Sequence, residues 1–322
     1  PHSHDHCHHR PGEACTGDHA HAAVQLVLVP PPLSLYVHLP WCVRKCPYCD
    51  FNSHAAKGEL PFEAYIDALI RDLDQDLPLV WGRVVHSVFF GGGTPSLFPP
   101  EAIDRFLQLA SARLRFAPNA EITLETNPGT VEHGPFAGYR RAGVNRLSFG
   151  VQSFDDGCLK RLGRIHDSGE AERAVKLAQD DGLDNLNLDL MYALPGQTLA
   201  QAEEDMRTAL SLAPPHISIY HLTLEPNTYF AKFPPAVPDD DDAYAMLDRI
   251  TASLPSLAPA EQRVARLVLA DRYDWTGLDA EEFTERVNQF VDILHEARAW
   301  LEEPDEVHPS GWHSTELGHS LA

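Results

Sequence analysis

Leu35-Tyr36-Val37-His38-Leu39-Pro40-Trp41-Cys42-Val43-Arg44-Lys45-Cys46-Pro47-Tyr48-Cys49-Asp50-Phe51-Asn52-Ser53-His54 decides how the rest of the chain is read. A β-rich run delivers three cysteines, Cys42, Cys46 and Cys49, spaced Cys-x₃-Cys-x₂-Cys within one tight loop. A closed iron–sulfur cluster or structural zinc site takes four protein ligands. Three thiolates on a four-iron cube leave one iron open to bind something else. The alternative is a zinc site completed by His38, His54 or Asp50.

Outward from this loop the pattern is regular. Leu33–Leu39 reads as a first strand, and Phe62, Tyr65, Ile66, Leu69, Ile70, Leu73 and Leu77 fall at helical spacing behind Pro61. Further strands are expected at Val84–Phe90, Glu121–Glu125, Arg146–Val151, Leu186–Leu190 and His216–Leu222, with amphipathic helices between them. Six apolar strands alternating with five helices define an α/β fold, a partial (β/α)6 barrel with a parallel sheet covered on both faces. Functional residues then belong at the C-terminal ends of the strands. The chemical signals fall there: the cysteines, the run Gly91-Gly92-Gly93-Thr94-Pro95, then Glu125, Gln152 and Asp189. Glycine lets a ligand approach backbone directly, although a plain strand-to-helix turn would use the same residues. Asp239 to Asp242 looks like an acidic metal site but reads better as a helix start, with Tyr244, Leu247, Ile250 and Leu254 following at helical spacing. Cys158 reads as a partly buried free thiol.

Composition sets the limits. The 322 residues suit one large domain with appendages, and a net charge of −22 argues against a nucleic-acid partner, which wants clustered Lys and Arg. No apolar run approaches the roughly 20 residues that cross a bilayer. Six cysteines, three in one motif, make no disulfide framework, so a reducing cytoplasm is the expected compartment. Residues 1–32 carry seven histidines and end in Pro30-Pro31-Pro32, the composition of a disordered tail or of a weak metal- or heme-gathering one. The core is expected over 33–254. Residues 255–322 read as a helical tail, with segments at Gln262–Arg272 and Asp279–Leu301.

With Tyr48 just before the third cysteine, the loop resembles the radical S-adenosylmethionine (radical SAM) signature. Tyr36-x-His-x-Pro-Trp-Cys through Asp50-Phe51-Asn52-Ser53-His54 resembles the HemW heme-chaperone branch of the oxygen-independent coproporphyrinogen III oxidase family. The resemblance implies a [4Fe–4S] cluster on Cys42, Cys46 and Cys49, with SAM chelating the open iron and an electron from the cluster generating a 5′-deoxyadenosyl radical. It also implies SAM contacts from Tyr36, Tyr48, Gly92, Gly93, Thr94, Glu125, Gln152, Arg164 and Asp189. Asp189 could accept from ribose hydroxyls and Arg164 could pair with the methionine carboxylate. Thr223 matches less fully, since Tyr220, His221 and Leu222 diverge from the oxidase branch.

That branch adds a cysteine where this chain has Phe51. The resemblance therefore implies a protein that binds heme and passes it to apo-proteins, served by an electron donor. A porphyrinogen-processing oxidase and a non-catalytic cluster protein are the alternatives. It spans about Leu33 to Arg249 and then stops, short of the His-Asn-x-x-Tyr-Trp segment with which the family continues.

Overall fold

In the computed structural model, which describes residues 31–133 and 136–253, the six apolar runs are parallel strands of one sheet: β1 (Leu33–Leu39), β4 (Val84–Gly92), β5 (Arg115–Thr126), β6 (Arg146–Gln152), β7 (Leu186–Tyr192) and β8 (His216–His221). Their spatial order, β1-β4-β5-β6-β7-β8, repeats their order in the chain. Each crossover therefore advances one strand in the same direction, the construction of a barrel wall, here with β1 and β8 as its two ends. Two short strands, β2 (Trp41–Cys42) and β3 (His54–Ala55), pair in parallel and close the cysteine loop.

The helices follow from their caps and stripes. Helix α1 (Phe62–Val80) buries Ile66, Ile70 and Leu73, and α2 (Pro100–Ser111) starts on a proline whose missing N–H costs nothing in the first turn. Between β5 and β6 lies α3 (Phe136–Ala142). Then α4 (Asp156–Leu162) is opened by the Asp155 side chain and closed by Gly163 in the left-handed region at φ 83°. Reciprocal capping boxes start α5 (Ser168–Asp180), through Asp167 and Glu170, and α6 (Leu199–Ser211), through Thr198 and Gln201. A single turn, α7 (Tyr229–Lys232), precedes α8 (Asp240–Ser253). As the sequence suggested, the aspartates begin this helix, Asp239 accepting from the Asp242 amide at 2.9 Å.

The main core runs between the sheet and helices α1, α2, α3 and α5, with Phe90, Leu124, Leu147, Phe149, Leu186 and Leu188 fully sequestered. Each such side chain contributes about 1.5–3 kcal/mol on burial. A second cluster joins Tyr192 and Ile219 to Ala202 and Met206 of α6 and to Met246 and Ile250 of α8.

The structure departs from the sequence-based expectation in two respects. Strand β5 begins at Arg115 instead of Glu121, because Arg115 and Phe116 pair with Val84 and Val85 ahead of a register shift. The short elements α3, α4, β2 and β3 were not expected, being too brief to show a period. The segments at Gln262–Arg272 and Asp279–Leu301, and all of 1–30, lie outside the described residues.

Candidate functional site

At the C-terminal ends of the strands lies a cavity of about 760 Å³. Its wall gathers Cys42, Cys46, Cys49, Tyr48, Gly92, Gly93, Thr94, Glu125, Gln152, Arg164 and Asp189. Of the expected cluster ligands and SAM contacts only Tyr36 is absent from that wall. It is 57% exposed, stacks on Phe89, and donates through its hydroxyl to His38 Nδ1 at 3.0 Å.

The cysteine loop is pinned at its base and on its far side. The β2–β3 pair is extended by His54 N to Pro40 O (2.8 Å) and Ala56 N to Cys42 O (2.8 Å). Lys45 Nζ crosses the loop to the carbonyls of Phe51 (2.8 Å) and Ser53 (3.1 Å). Arg44 Nη2 donates to Gly163 O (2.7 Å) and Phe230 N to Pro47 O (3.0 Å). His38 Nε2 donates to Asn52 O at 2.8 Å, and His54 Nε2 meets Asn52 Oδ1 at 3.1 Å, so both candidate zinc histidines have other partners. Among the described residues no three His, Cys, Asp or Glu side chains group to hold a single metal ion. What the loop presents is three soft thiolates with the Arg164 guanidinium 3.4 Å from Cys46 Sγ, a donor set that fits an iron–sulfur cluster larger than one ion.

The glycine run does more than admit a ligand. A Cβ on Gly92 would lie 2.6 Å from the His38 ring, and Gly92 has a φ of +117°. A Cβ on Gly93 would lie 2.6 Å from Trp41 O and 2.7 Å from Pro40 C, both backbone atoms. The amides behind these positions are already committed: Gly92 N to Glu125 Oε2 (3.1 Å), Gly93 N to Leu39 O (2.8 Å) and Thr94 N to Trp41 O (2.8 Å). The run is thus the seat of the cysteine loop, and its contribution to a ligand must come from carbonyl oxygens, which suit a bound ammonium. Gly93→Ala is expected to push β2 away from β4, costing about 1–3 kcal/mol. Reconstituted iron content should fall together with the thermal midpoint; a variant with full iron content would show that the seat tolerates the methyl group.

Two acids, Glu125 of β5 and Asp189 of β7, line the cavity from the strand wall. Burial lifts the Glu125 carboxyl to about 7, with the charge of Asp189 adding to the rise and the Gly92 amide opposing it. Burial likewise lifts Asp189 to about 6, against hydrogen bonds to its Oδ2 from Ser148 (2.9 Å) and to its Oδ1 from Asn187 (2.9 Å). Burial also raises the hydroxyl of Tyr48, which packs toward Phe230, and the Cys42 thiol.

Arg164 gives Nη2 to Gly150 O (2.7 Å), while its buried Nε has no partner. An orphaned guanidinium donor beside the cysteines fits a carboxylate, and the two acids of the same cavity fit an amine and a diol, so these residues suit SAM. Thr223 lines the cavity with its hydroxyl given to Glu225 at 2.7 Å. Sequence reasoning missed Ser148, Met191 and Tyr220. Strand alternation would have found them, because Ser148, Gly150 and Gln152, like Asp189 and Met191, point to one face.

A parallel strand wall with a three-cysteine loop at its C-terminal rim defines the class, and the chain belongs to the Radical SAM superfamily, whose sequence profile matches residues 36–209. Membership brings a [4Fe–4S] cluster and SAM as cofactors. Within the superfamily the chain is HemW-like. It is 56% identical over 219 residues to the heme chaperone HemW of Escherichia coli (strain K12), covering 68% of this chain and 58% of that one. Against the heme chaperone HemW of Haemophilus influenzae it is 54% identical over 223 residues, again covering 68% and 58%. The solved coproporphyrinogen III oxidase HemN from Escherichia coli, a radical SAM enzyme, superimposes with a TM-score of 0.64 at 30% identity, covering 69% of this chain and 52% of that one. The chain therefore spans 58% of the length of the two chaperones it matches. No helix among the described residues is long and apolar enough to cross a membrane.

Proposed function

We propose that this chain is the SAM-binding core of a heme-handling protein of the chaperone type, working in a reducing cytoplasm. In this reading Cys42, Cys46 and Cys49 hold the cluster, and Arg164 takes the SAM carboxylate. Glu125 and the carbonyls of the Gly92–Gly93 turn take the amino group, and Asp189 takes ribose hydroxyls. Tyr48 closes the wall beside the cluster. When bound, the cluster and SAM together supply reductive cleavage of a carbon–sulfur bond. The chain's own part is to seat the cluster loop and to orient SAM between Arg164, Glu125 and Asp189, with Phe51, Met191 and Leu222 supplying the apolar part of the wall. Heme, an apo-protein that receives it and a one-electron donor are the partners proposed. Tyr36 stays in the proposal only as a rim residue that braces His38 under the glycine run.

The observation carrying this reading is the 56% identity to a heme chaperone through the whole core, combined with Phe51 at the cavity wall. Phe51 is 50% exposed and lines the space with an apolar ring where the oxidase branch has a cysteine. The test is a heme titration run beside a coproporphyrinogen III assay on the same cluster-loaded protein. A saturable shift of the heme Soret band with no protoporphyrinogen IX formed is the expected result. Turnover of the porphyrinogen would replace the chaperone reading with the oxidase one.

A further inference from the structure

Gln152 ends β6 with a φ of 71°, a left-handed backbone unusual for a residue with a long side chain, and the β6–β7 register slips between Gly150 and Gln152. Such a conformation is strained and persists only where the surroundings enforce it. Its side chain folds back over Gly150, where an added Cβ would lie 3.0 Å from Gln152 Nε2 and 3.4 Å from Arg164 Nη2. The strain therefore sets the amide of Gln152 beside the guanidinium on the cavity wall.

The enforcement comes from outside the cavity. Asp205 of α6 is 4% exposed and does not belong to the cavity wall. It accepts from both residues that follow Gln152: the Ser153 hydroxyl reaches its Oδ1 at 3.0 Å and its Oδ2 at 2.8 Å, and the Phe154 amide reaches Oδ1 at 2.6 Å. Gln197 Nε2 donates to Oδ2 at 3.2 Å, and Gln197 Oε1 in turn accepts from Leu194 N at 3.1 Å, which ties in the loop after β7. Ser153 Oγ also receives the Asp155 amide at 3.0 Å. One buried carboxylate thus grips the loops after two neighbouring strands, the strands that end in Gln152 and carry Asp189.

We propose that Asp205 is a positioning residue for SAM: by gripping Ser153 and Phe154 it holds Gln152 in its left-handed turn, and so sets the affinity of the cavity for the cofactor without touching it. The proposal rests on the reading of Gln152 as a SAM contact. A neutral amide at position 205 would keep the volume but offer a donor where Ser153, Phe154 and Gln197 all donate, so at least one of these bonds must break.

The experiment is a double-mutant cycle on cluster-loaded protein, with SAM affinity read by equilibrium titration and iron content and thermal midpoint read alongside. Gln152→Ala and Asp205→Asn are each expected to weaken SAM binding by roughly tenfold, the cost of one hydrogen bond to a charged or strained partner, with iron content unchanged. In the double variant the loss is expected to stay near that of Gln152→Ala alone. Losses that multiply would overturn the positioning role while leaving Gln152 as a contact. Full SAM affinity in Gln152→Ala would instead remove the underlying reading, and the proposal with it. Should Asp205→Asn fail to fold, Ser153→Ala in the same cycle reads the same coupling, because it deletes two of the bonds without altering the buried charge.

Discussion

Cys46→Ser is expected to yield a folded protein that no longer assembles its cluster. A serine oxygen is a harder and far more basic donor than a thiolate, so it holds soft iron poorly. In the proposed assignment three cysteines supply every protein ligand, so loss of one would leave two corners of the cube unsupported. Cys46 also carries the Arg164 contact at 3.4 Å, so the substitution removes the softest partner of a buried cation. The barrel itself should survive, since Cys46 is not part of the apolar clusters between sheet and helices. Iron after anaerobic reconstitution is expected to drop from about four per chain to below about one, with the circular dichroism of the apo-protein unchanged. Cys158→Ser provides the contrast. Cys158 is a fully buried free thiol 3.3 Å from Arg161 Nη2, and its replacement should leave iron content at the level of the parent. Equal iron in Cys46→Ser and the parent would remove the cluster assignment from this loop.

Glu125→Gln should make the apo-protein more stable and the SAM site much weaker. The Glu125 carboxyl titrates near 7 in the fold against 4.5 in an open chain, because burial and the charge of Asp189 disfavour its ionised form. The native state therefore keeps a proton that the unfolded state has lost, and stability declines as pH rises from about 4.5 to about 7. Glutamine has nothing to ionise and can still accept from the Gly92 amide. At pH 8 the variant is expected to gain up to roughly 3 kcal/mol, and at pH 5 only about 1 kcal/mol or less. SAM affinity should fall at least about tenfold, since a cationic amino group loses its counter-charge. Melting curves of both proteins across pH 5–8 check the first statement and SAM titration the second. A variant less stable than the parent at pH 8 would show that Glu125 is not held against its charge. Strain kept at a binding site at the expense of stability is the general pattern.

Much of this was legible beforehand, and the residues explain why. Strands such as Leu186–Tyr192 are leucine-rich, have no exposed residue and alternate with helical stretches, so their existence and their parallel pairing were readable in the sequence. The cysteines, glycines and acids sit one after another at strand ends, where a barrel wall must bring them together. What sequence could not supply is contact between elements. Gly93 meets Pro40 because β1 and β4 pair with Leu39 opposite Gly92. That register is invisible in either segment alone, so the glycines looked like room for a ligand. Asp205 sits among the polar residues of a surface helix and gives no sign that its carboxyl turns inward to the loop after β6. Helix α4 could have been found, since Asp155 and Gly163 are a fair cap at each end, but seven residues give a period little to show.

The clasp on the cysteine loop also fixes an order of events during synthesis. The three thiols leave the ribosome first, whereas the carbonyl that receives Arg44 belongs to Gly163 and the amide that holds Pro47 belongs to Phe230. Until those later residues have emerged and α4 and α7 have docked, the nascent loop has ligands but no frame. A cluster on this loop is therefore expected to be retained only once most of the wall is standing.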